Sequence, residues 1–255
     1  MRRAHKDWWR QRGMYADLIG PGAMRAAETL PMTLDYDSRV VRDRLGHYYL
    51  YVPMPLELKG KGREDQAPSV AAPVQVVALD PGVRTFMTAY DPQGNVLKWG
   101  DGDMKRIFKL CKHMDTLQSL AAQPDCRAKR RYNLRRAKLR LGERVRNLVK
   151  DAHCKLAKYL CTVYDLVLLP KFETQRMVRR GKRRINSKTA RQMCTWSHYT
   201  FRERLQQAGR VNGCTVQLCT EEYTSKTCGR CGALHPQVGW QQGRSVPTTR
   251  LPCPS

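Results

Sequence analysis

The stretch VQVVALDPGVRTFMTAYDPQGNVLKWG, residues 74–100, decides the fold, because three short strand-like runs are separated there by turn residues. The first run is apolar and ends at Asp80, after which Pro81 and Gly82 turn the chain. The second run is followed by the turn sequence DPQG. The pattern predicts a three-stranded meander with a carboxylate at the tip of its first strand, over 74–79, 83–90 and 95–99.

Beyond this meander the apolar period becomes helical over 103–122 and 125–163. The second of these segments has one apolar face, formed by Leu134, Leu141, Val145, Leu148, Ala152, Leu156 and Leu160. The runs DLVLLP (165–170) and CTVQLC (214–219) predict further strands, and Ser187 is placed to cap a helix over 188–208. This order favours an α/β fold of the ribonuclease-H-like kind, with a mixed sheet and long basic helices.

Charge points to a polyanionic partner. The 255 residues include 47 Lys and Arg against 22 Asp and Glu, a net charge of +25, so nucleic acid is the first candidate and an anionic membrane surface the second. No stretch is long and apolar enough to span a bilayer, and the N-terminus lacks the apolar segment of a secretory signal. The ten scattered cysteines suggest reduced thiols and an intracellular protein.

Two acids stand at the ends of predicted strands. Asp80 ends the first strand of the meander, and Glu173 follows the strand over 165–170. Phosphodiester cleavage with two metal ions needs carboxylates that converge on Mg²⁺, and strand ends of an α/β sheet are the usual place for them. The alternative is that Asp80 only begins a turn and that Glu173 is a solvated loop acid. Spacing alone does not separate the two interpretations.

Cys228 and Cys231 form a C-x-x-C followed by Gly232, typical of one knuckle of a zinc site. A tetrahedral site needs four ligands, and the one cysteine that follows is Cys253. The alternatives are two free thiols, or a weak and open zinc site completed by water or by His235 and Cys253.

Four motifs occur in an order that resembles the TnpB-like transposon proteins, which are RNA-guided DNA endonucleases related to type V CRISPR effectors. They are ALDPGVRTF, LVLLPKFET, RRINSKTARQMCTWSHYTFRERL and EYTSKTCGRCG. The PKFET form is most similar to the eukaryotic and giant-virus branch called Fanzor. The resemblance covers about residues 47–235. It implies a RuvC-like, Mg²⁺-dependent nuclease in which Asp80 and Glu173 match the first two catalytic acids and metal ligands, with Cys228 and Cys231 as zinc ligands of a partial ribbon.

The resemblance also implies four segments: 1–58, a remnant of the wedge and recognition region; 59–73, a polar linker; 74–220, the nuclease domain; and 221–255, an incomplete zinc ribbon with a divergent tail. The family's third acid follows its second zinc knuckle, whereas no Asp or Glu follows Glu222 here. We therefore expect a transposase-like protein truncated at both ends and crippled in cleavage. The alternatives are a catalytically dead nucleic-acid-binding remnant and a chain without a stable fold.

The resemblance implies DNA and a guide RNA as partners and no membrane, with the nucleus as the location if the host is eukaryotic. It says nothing of the oligomeric state. The loop over 171–191 carries nine Lys and Arg and one acid, and the helix before it is also basic. Phosphate contacts by such a surface give salt-sensitive, sequence-independent binding, although a charge run is often only a solvated face. We expect contacts from Arg179, Arg180, Lys182, Arg183, Arg184, Lys188 and Arg191.

Overall fold

The computed structural model describes residues 28–29, 36–55, 74–181 and 183–220. The chain divides into two compact units, Met1–Leu56 and Glu57–Ser255. The described strands are β1 (Arg39–Arg42), β2 (Tyr48–Tyr51), β3 (Val76–Pro81), β4 (Met87–Tyr90), β5 (Val96–Trp99), β6 (Leu166–Pro170) and β7 (Thr215–Cys219). The described helices are α1 (Asp103–Ala122), α2 (Ala128–Val163), α3 (Thr174–Val178), α4 (Ser187–Trp196) and α5 (His198–Asn212).

The first unit contains a β-hairpin in which β1 and β2 pair antiparallel, with Arg39 opposite Tyr51. Asp43 organises the connection, because its carboxylate accepts hydrogen bonds from the backbone N–H groups of Leu45 and His47, both at 2.8 Å. Aromatic residues at alternating positions predict the second strand, whereas the mixed charges over 1–46 give no sign of the first.

The second unit is built on a five-stranded mixed sheet with the order β5-β4-β3-β6-β7. The three strands of the meander pair antiparallel with their neighbours, as the turn residues predict. Strands β6 and β7 then add in parallel on the other side of β3, with Val77 opposite Val167 and Val167 opposite Val216. The sheet is therefore mixed, and the carboxyl ends of β3, β6 and β7 lie at one edge.

One face of this sheet forms the core. Along β3, Val77, Leu79 and Pro81 are buried, while Ala78 and Asp80 between them are exposed. This alternation follows from the two-residue period of a strand. The buried face packs against α1, α2 and α5 in one hydrophobic cluster. On the opposite face, the described side chains of the sheet are exposed or half-buried.

The long helices follow their apolar periodicity. Leu156 and Leu160 of α2 are fully buried, and Leu134, Leu141 and Leu148 are half-buried. Gly142 lies where α2 approaches α1, and a methyl group there would meet the mobile end of Met114 at 3.3 Å. Within the described ranges, no helix is both long and apolar enough to cross a bilayer.

The predicted helix over 188–208 is wrong in one respect, because it is two helices. Ser197 separates α4 from α5 with a left-handed backbone, at φ 52°. A second correction concerns the cap: Asn186, not Ser187, caps α4, since its side-chain oxygen accepts a 2.7 Å hydrogen bond from the Thr189 N–H. Asn is at least as good an N-cap residue as Ser, so the sequence permits both.

Candidate functional site

The structure brings the segments that carry the two predicted acids to the same edge of the sheet. Asp80 is the next-to-last residue of β3, and Glu173 follows the end of β6 by three residues. These strands are parallel neighbours, with Ala78 opposite Leu168. Because parallel strands end at a common edge, both carboxylates belong to segments that leave the sheet at that edge.

The two carboxylates differ in their surroundings. Asp80 is exposed on the face of β3 opposite the core, and its carboxylate has no hydrogen bond or ion pair with the described residues. Glu173 is also exposed and forms a 2.8 Å ion pair with Arg176, which lies one turn further on in α3. Exposed pairs of this kind are weak. Both carboxylates are thus accessible to a ligand from solvent.

The turn after Asp80 is held from several sides. The Gly82 N–H donates to the Phe86 carbonyl at 3.1 Å, and the Thr85 hydroxyl donates to Asp101 at 3.0 Å. A side chain at position 82 would meet the Thr85 carbonyl at 2.5 Å, so the turn requires glycine. The indole N–H of Trp196 donates to the Val83 carbonyl at 3.0 Å. Asp80 therefore precedes a well-anchored loop.

Beneath this edge lies an aromatic cluster centred on Phe86. Its ring stacks with His153 at 4.9 Å and with His198 at 5.1 Å, and it contacts Trp196 at 4.7 Å and Phe201 at 5.1 Å. The cluster joins β3's turn to α2, α4 and α5. Its ring contacts hold together the elements from which the loops at this edge begin.

His153 is fixed in one neutral form. Its Nε2 lies 2.9 Å from the Trp196 carbonyl and donates to it, so its Nδ1, 3.1 Å from the Arg204 guanidinium, accepts. Burial is the main cause that lowers the pKa of His153 to about 4, and the Trp196 carbonyl partly opposes this shift. The imidazole is therefore uncharged at neutral pH.

Three buried side-chain polar atoms of the described residues have no hydrogen-bond partner. In the described part of the chain they are both ring nitrogens of His198 and the hydroxyl oxygen of Thr174. His198 is 5% exposed and lies edge-on to Phe172 at 4.8 Å. Burial lowers its pKa to about 4, partly offset by a weak interaction with the Gly82 backbone. Orphaned buried polar groups are rare, and functional sites are one place where they occur.

The predicted nucleic-acid contacts lie in the loop between α3 and α4 and in α4 itself. Arg179, Arg180, Arg184 and Lys188 are exposed. Arg183 is half-buried and donates to the Ser187 hydroxyl at 2.7 Å. These cationic side chains follow Glu173 in the chain, and Glu173 is the one acid over 171–191. Their role in binding stays a prediction.

Arg191 is more constrained than the other basic residues. It forms a two-pronged ion pair with Asp115 of α1 and donates to the Cys111 carbonyl at 3.3 Å. Its guanidinium also lies 6.0 Å from the Phe108 ring, and the Lys188 ammonium lies 5.7 Å from the same ring. The ion pair holds the pKa of the Asp115 carboxyl below its ordinary value. Arg191 therefore has a structural task.

Three predicted site residues lie outside the described residues: Lys182, Cys228 and Cys231. His235 and Cys253, the other possible zinc ligands, lie outside them as well. Zinc binding therefore stays a prediction.

Asp80 and Glu173 offer carboxylate oxygens, the ligand type that Mg²⁺ prefers. Asp80 has both oxygens free of described partners, and Glu173 has one oxygen outside its ion pair with Arg176. The donor set therefore fits a hard divalent cation.

Comparisons with known proteins find similar sequences. Residues 198–255 match the family model described as "Cas12f1-like, TNB domain". A candidate transposase of Paramecium bursaria Chlorella virus 1 is 31% identical over 207 residues, which cover 80% of this chain and 44% of that protein. A TnpB-like protein of Acanthamoeba polyphaga mimivirus is 27% identical over 237 residues, 88% of this chain and 42% of that one. The chain is TnpB-like in sequence over most of its length.

This TnpB-like chain spans less than half the length of the two relatives just described. Among solved structures, a CRISPR-Cas12f ternary complex contains a chain similar to it, with a TM-score of 0.48 and 15% identity over 79% of this chain and 38% of the other. A chain in a Cas12f1–sgRNA–target DNA complex has a TM-score of 0.41 and 16% identity, over 67% of this chain and 42% of the other. These similarities are distant.

Sequence reasoning missed how the TnpB-like chain supports its carboxylates. Trp196 and His198 belong to the motif RRINSKTARQMCTWSHYTFRERL. The family resemblance predicts at most that they are neighbours of the site. Their contacts with Val83 and Phe172 depend on tertiary packing that no local pattern encodes. The Asp-Pro-Gly turn after β3 was the one local signal, since Gly82 marks a position with no room for a side chain.

Proposed function

We propose that this TnpB-like chain carries the metal-binding half of a transposon-associated, RNA-guided DNA endonuclease. The observation that carries the proposal is the delivery of Asp80 and Glu173 to one edge of the sheet by adjacent parallel strands. In a chain of this family, two accessible carboxylates at that edge support phosphodiester cleavage with divalent metal.

In this proposal Asp80 and Glu173 hold Mg²⁺, which when bound supplies an activated water and neutralises charge on the phosphate. Asp80 contributes a carboxylate that is not committed to other described groups. Glu173 exchanges its ion pair with Arg176 for the metal, at small cost because the pair is exposed. The anchored turn after Asp80 keeps that carboxylate at the edge.

DNA and a guide RNA are the proposed partners, bound through the exposed basic residues between α3 and α4. Arg179, Arg180 and Arg184 are exposed and lie within eleven residues of Glu173 in the chain, and phosphate contacts from such residues position a nucleic acid without reading its sequence. In a eukaryotic host this activity belongs in the nucleus. The finer fold proposal is a ribonuclease-H-like domain, supported by the strand order and the mixed sheet.

Zinc binding by Cys228 and Cys231 is proposed from their C-x-x-C spacing in residues 198–255, the range of the family match. The test is the zinc content of the purified chain, measured by inductively coupled plasma mass spectrometry. We expect zinc in the parent chain and a loss in Cys228→Ser, while Cys154→Ser, an exposed cysteine of α2, leaves the content unchanged.

The experiment that tests cleavage uses the full chain, co-purified RNA and labelled single-stranded and duplex DNA, with Mg²⁺ or with a chelator. Because Asp80 and Glu173 match two of the family's three acids, we expect cleavage that is weak, that depends on Mg²⁺ and that Asp80→Asn abolishes. Asp151→Asn is the matched control, because Asp151 is an exposed acid of α2 paired with Lys155. Cleavage that is equally strong in Asp80→Asn contradicts the proposal.

A second candidate function is nucleic-acid binding without chemistry. It is favoured by the basic surface, with a net charge of +25 over the chain. Binding that falls with salt, does not depend on Mg²⁺ and is accompanied by no cleavage identifies this function.

A further inference from the structure

The corner between α4 and α5 contacts the segment that follows Asp80 and the segment that precedes Glu173. On one side, the Trp196 indole donates to the Val83 carbonyl, three residues after Asp80. On the other side, the His198 ring packs edge-on against Phe172, the residue before Glu173. Both side chains also pack on Phe86, which ends the turn that begins at Gly82.

The corner itself is strained and firmly anchored. Ser197 is the one residue other than glycine with positive φ among the described residues, a conformation that costs free energy and that surrounding structure must impose. The Trp196 carbonyl accepts from His153 of α2, and the Ser197 hydroxyl donates to the Cys194 carbonyl at 3.1 Å. The strain is thus held by contacts on both sides of the turn.

His198 fills its place by shape. Its ring is 5% exposed, stacks on Phe86 at an interplanar angle of 20°, and leaves both nitrogens without a well-formed hydrogen bond. Burying two polar atoms without hydrogen bonds is unfavourable, so the favourable contacts of this imidazole are those that its faces and edges make with other rings. Those contacts are with Phe86 and Phe172, one from each segment.

We propose that Trp196 and His198 are positioning residues that fix the separation of the Asp80 and Glu173 carboxylates. Trp196 anchors the turn after Asp80, and His198 is a wedge between that turn and the segment that leads into Glu173. Neither residue touches the metal in this proposal. The inference rests on the proposed metal site, because it assigns a separation that matters only if both carboxylates serve one centre.

The test measures Mn²⁺ binding to the full chain by electron paramagnetic resonance, with Mn²⁺ alone as the probe. The Mn²⁺ binding that is lost in Asp80→Asn is taken as binding at the proposed site. His198→Ala removes the wedge, His198→Phe keeps a ring in its place, and Trp196→Phe removes the N–H donor. Trp99→Phe is the control, since Trp99 stacks on Tyr159 rather than on the corner.

We expect His198→Ala and Trp196→Phe to weaken the Asp80-dependent Mn²⁺ affinity by about tenfold, the usual effect of losing a residue that orients a ligand. His198→Phe and Trp99→Phe stay within about twofold of the parent. Because His198→Phe removes two orphaned polar atoms, it also keeps the chain folded, which circular dichroism verifies.

Three results overturn the inference, and they have different meanings. Unchanged affinity in His198→Ala and Trp196→Phe rejects the positioning role and leaves the metal site intact. A loss in His198→Phe as large as that in His198→Ala shows that the imidazole nitrogens are needed, which rejects the wedge. No Asp80-dependent binding in the parent chain rejects the proposed metal site itself, and the positioning role with it.

Discussion

Arg191 binds Asp115 through two N–H groups and so ties α4 to α1, 76 residues away in the chain. The same guanidinium donates to the Cys111 carbonyl. Arg184, seven residues earlier, is exposed. Two arginines of one basic segment therefore have different neighbours, and their substitutions are expected to have different effects.

Arg184→Ala is expected to weaken DNA binding and to lower the slope of log affinity against log salt by about 1, the loss of one phosphate contact. Its melting temperature stays that of the parent, because an exposed side chain contributes little. Fluorescence anisotropy with labelled DNA at several salt concentrations measures the slope. Arg210→Ala, an exposed arginine in the last turn of α5, is the matched control.

Arg191→Ala is expected to lower the melting temperature, because Asp115 loses its partner and the junction of α1 with α4 loses its hydrogen bonds. Thermal unfolding followed by circular dichroism measures the change. A stability equal to that of the parent, with a large loss of DNA binding, would show instead that Arg191 is available to phosphate.

Gly82→Ala is expected to destabilise the chain by roughly 2 kcal/mol, because the added methyl group would lie 2.5 Å from the Thr85 carbonyl. The relief of that clash shifts the turn behind Asp80, so Mn²⁺ affinity falls as well. Chemical denaturation and Mn²⁺ titration measure the two effects. Gly142→Ala is the control: it faces the mobile end of Met114 and gains helix propensity, so we expect no loss.

Arg176→Ala is expected to tighten Mn²⁺ binding by roughly threefold, because the guanidinium competes with metal for Glu173. The free energy of unfolding changes by less than about 0.5 kcal/mol, since the pair is exposed. Isothermal titration calorimetry and chemical denaturation give these values. Weaker Mn²⁺ binding would mean that Arg176 orients Glu173 instead of competing for it.

The fold is expected to lose stability as the pH falls from about 6.5 to about 4. Burial lowers the pKa of both His153 and His198 to about 4, below the ordinary value of 6.5. Between these values the unfolded chain binds more protons than the folded one, so stability is full above pH 6.5 and declines below it.

The two histidines together account for that decline, with at most about 3 kcal/mol each. Melting temperatures measured from pH 7.5 to pH 4.5 test this expectation. His198→Phe removes one of the two groups, so its decline is shallower than that of the parent chain. An equally steep decline in the variant would place the pH sensitivity elsewhere.

The sequence predicts the sheet well because its signals are local. Asp91 shows why: its carboxylate accepts from the backbone N–H groups of Gln93 and Asn95, so the turn between β4 and β5 is determined by the residues in it. The apolar period of α2 is similarly local. Asp80 and Glu173 were located at strand ends for the same reason.

The support of the site was less predictable because it depends on contacts between distant residues. The left-handed Ser197 splits a segment whose composition suits one continuous helix. The Trp196 bond to Val83 joins residues 113 positions apart. The pairing of Arg191 with Asp115 likewise links two helices, and no periodicity distinguishes Arg191 from Arg184. The phosphate contact of Arg191 stays a prediction.

The parallel pairing of β3 with β6 also has a consequence for the kinetics of folding. The meander β3-β4-β5 forms from contiguous chain, whereas β3 meets β6 across a long excursion that includes the 36 residues of α2. The Gln75 N–H and the Asp165 carboxylate bond across 90 positions. Closing so large a loop is slow compared with hairpin formation. The meander, which carries Asp80, is therefore expected to form early. The segment that carries Glu173 joins it later, when β6 pairs with β3.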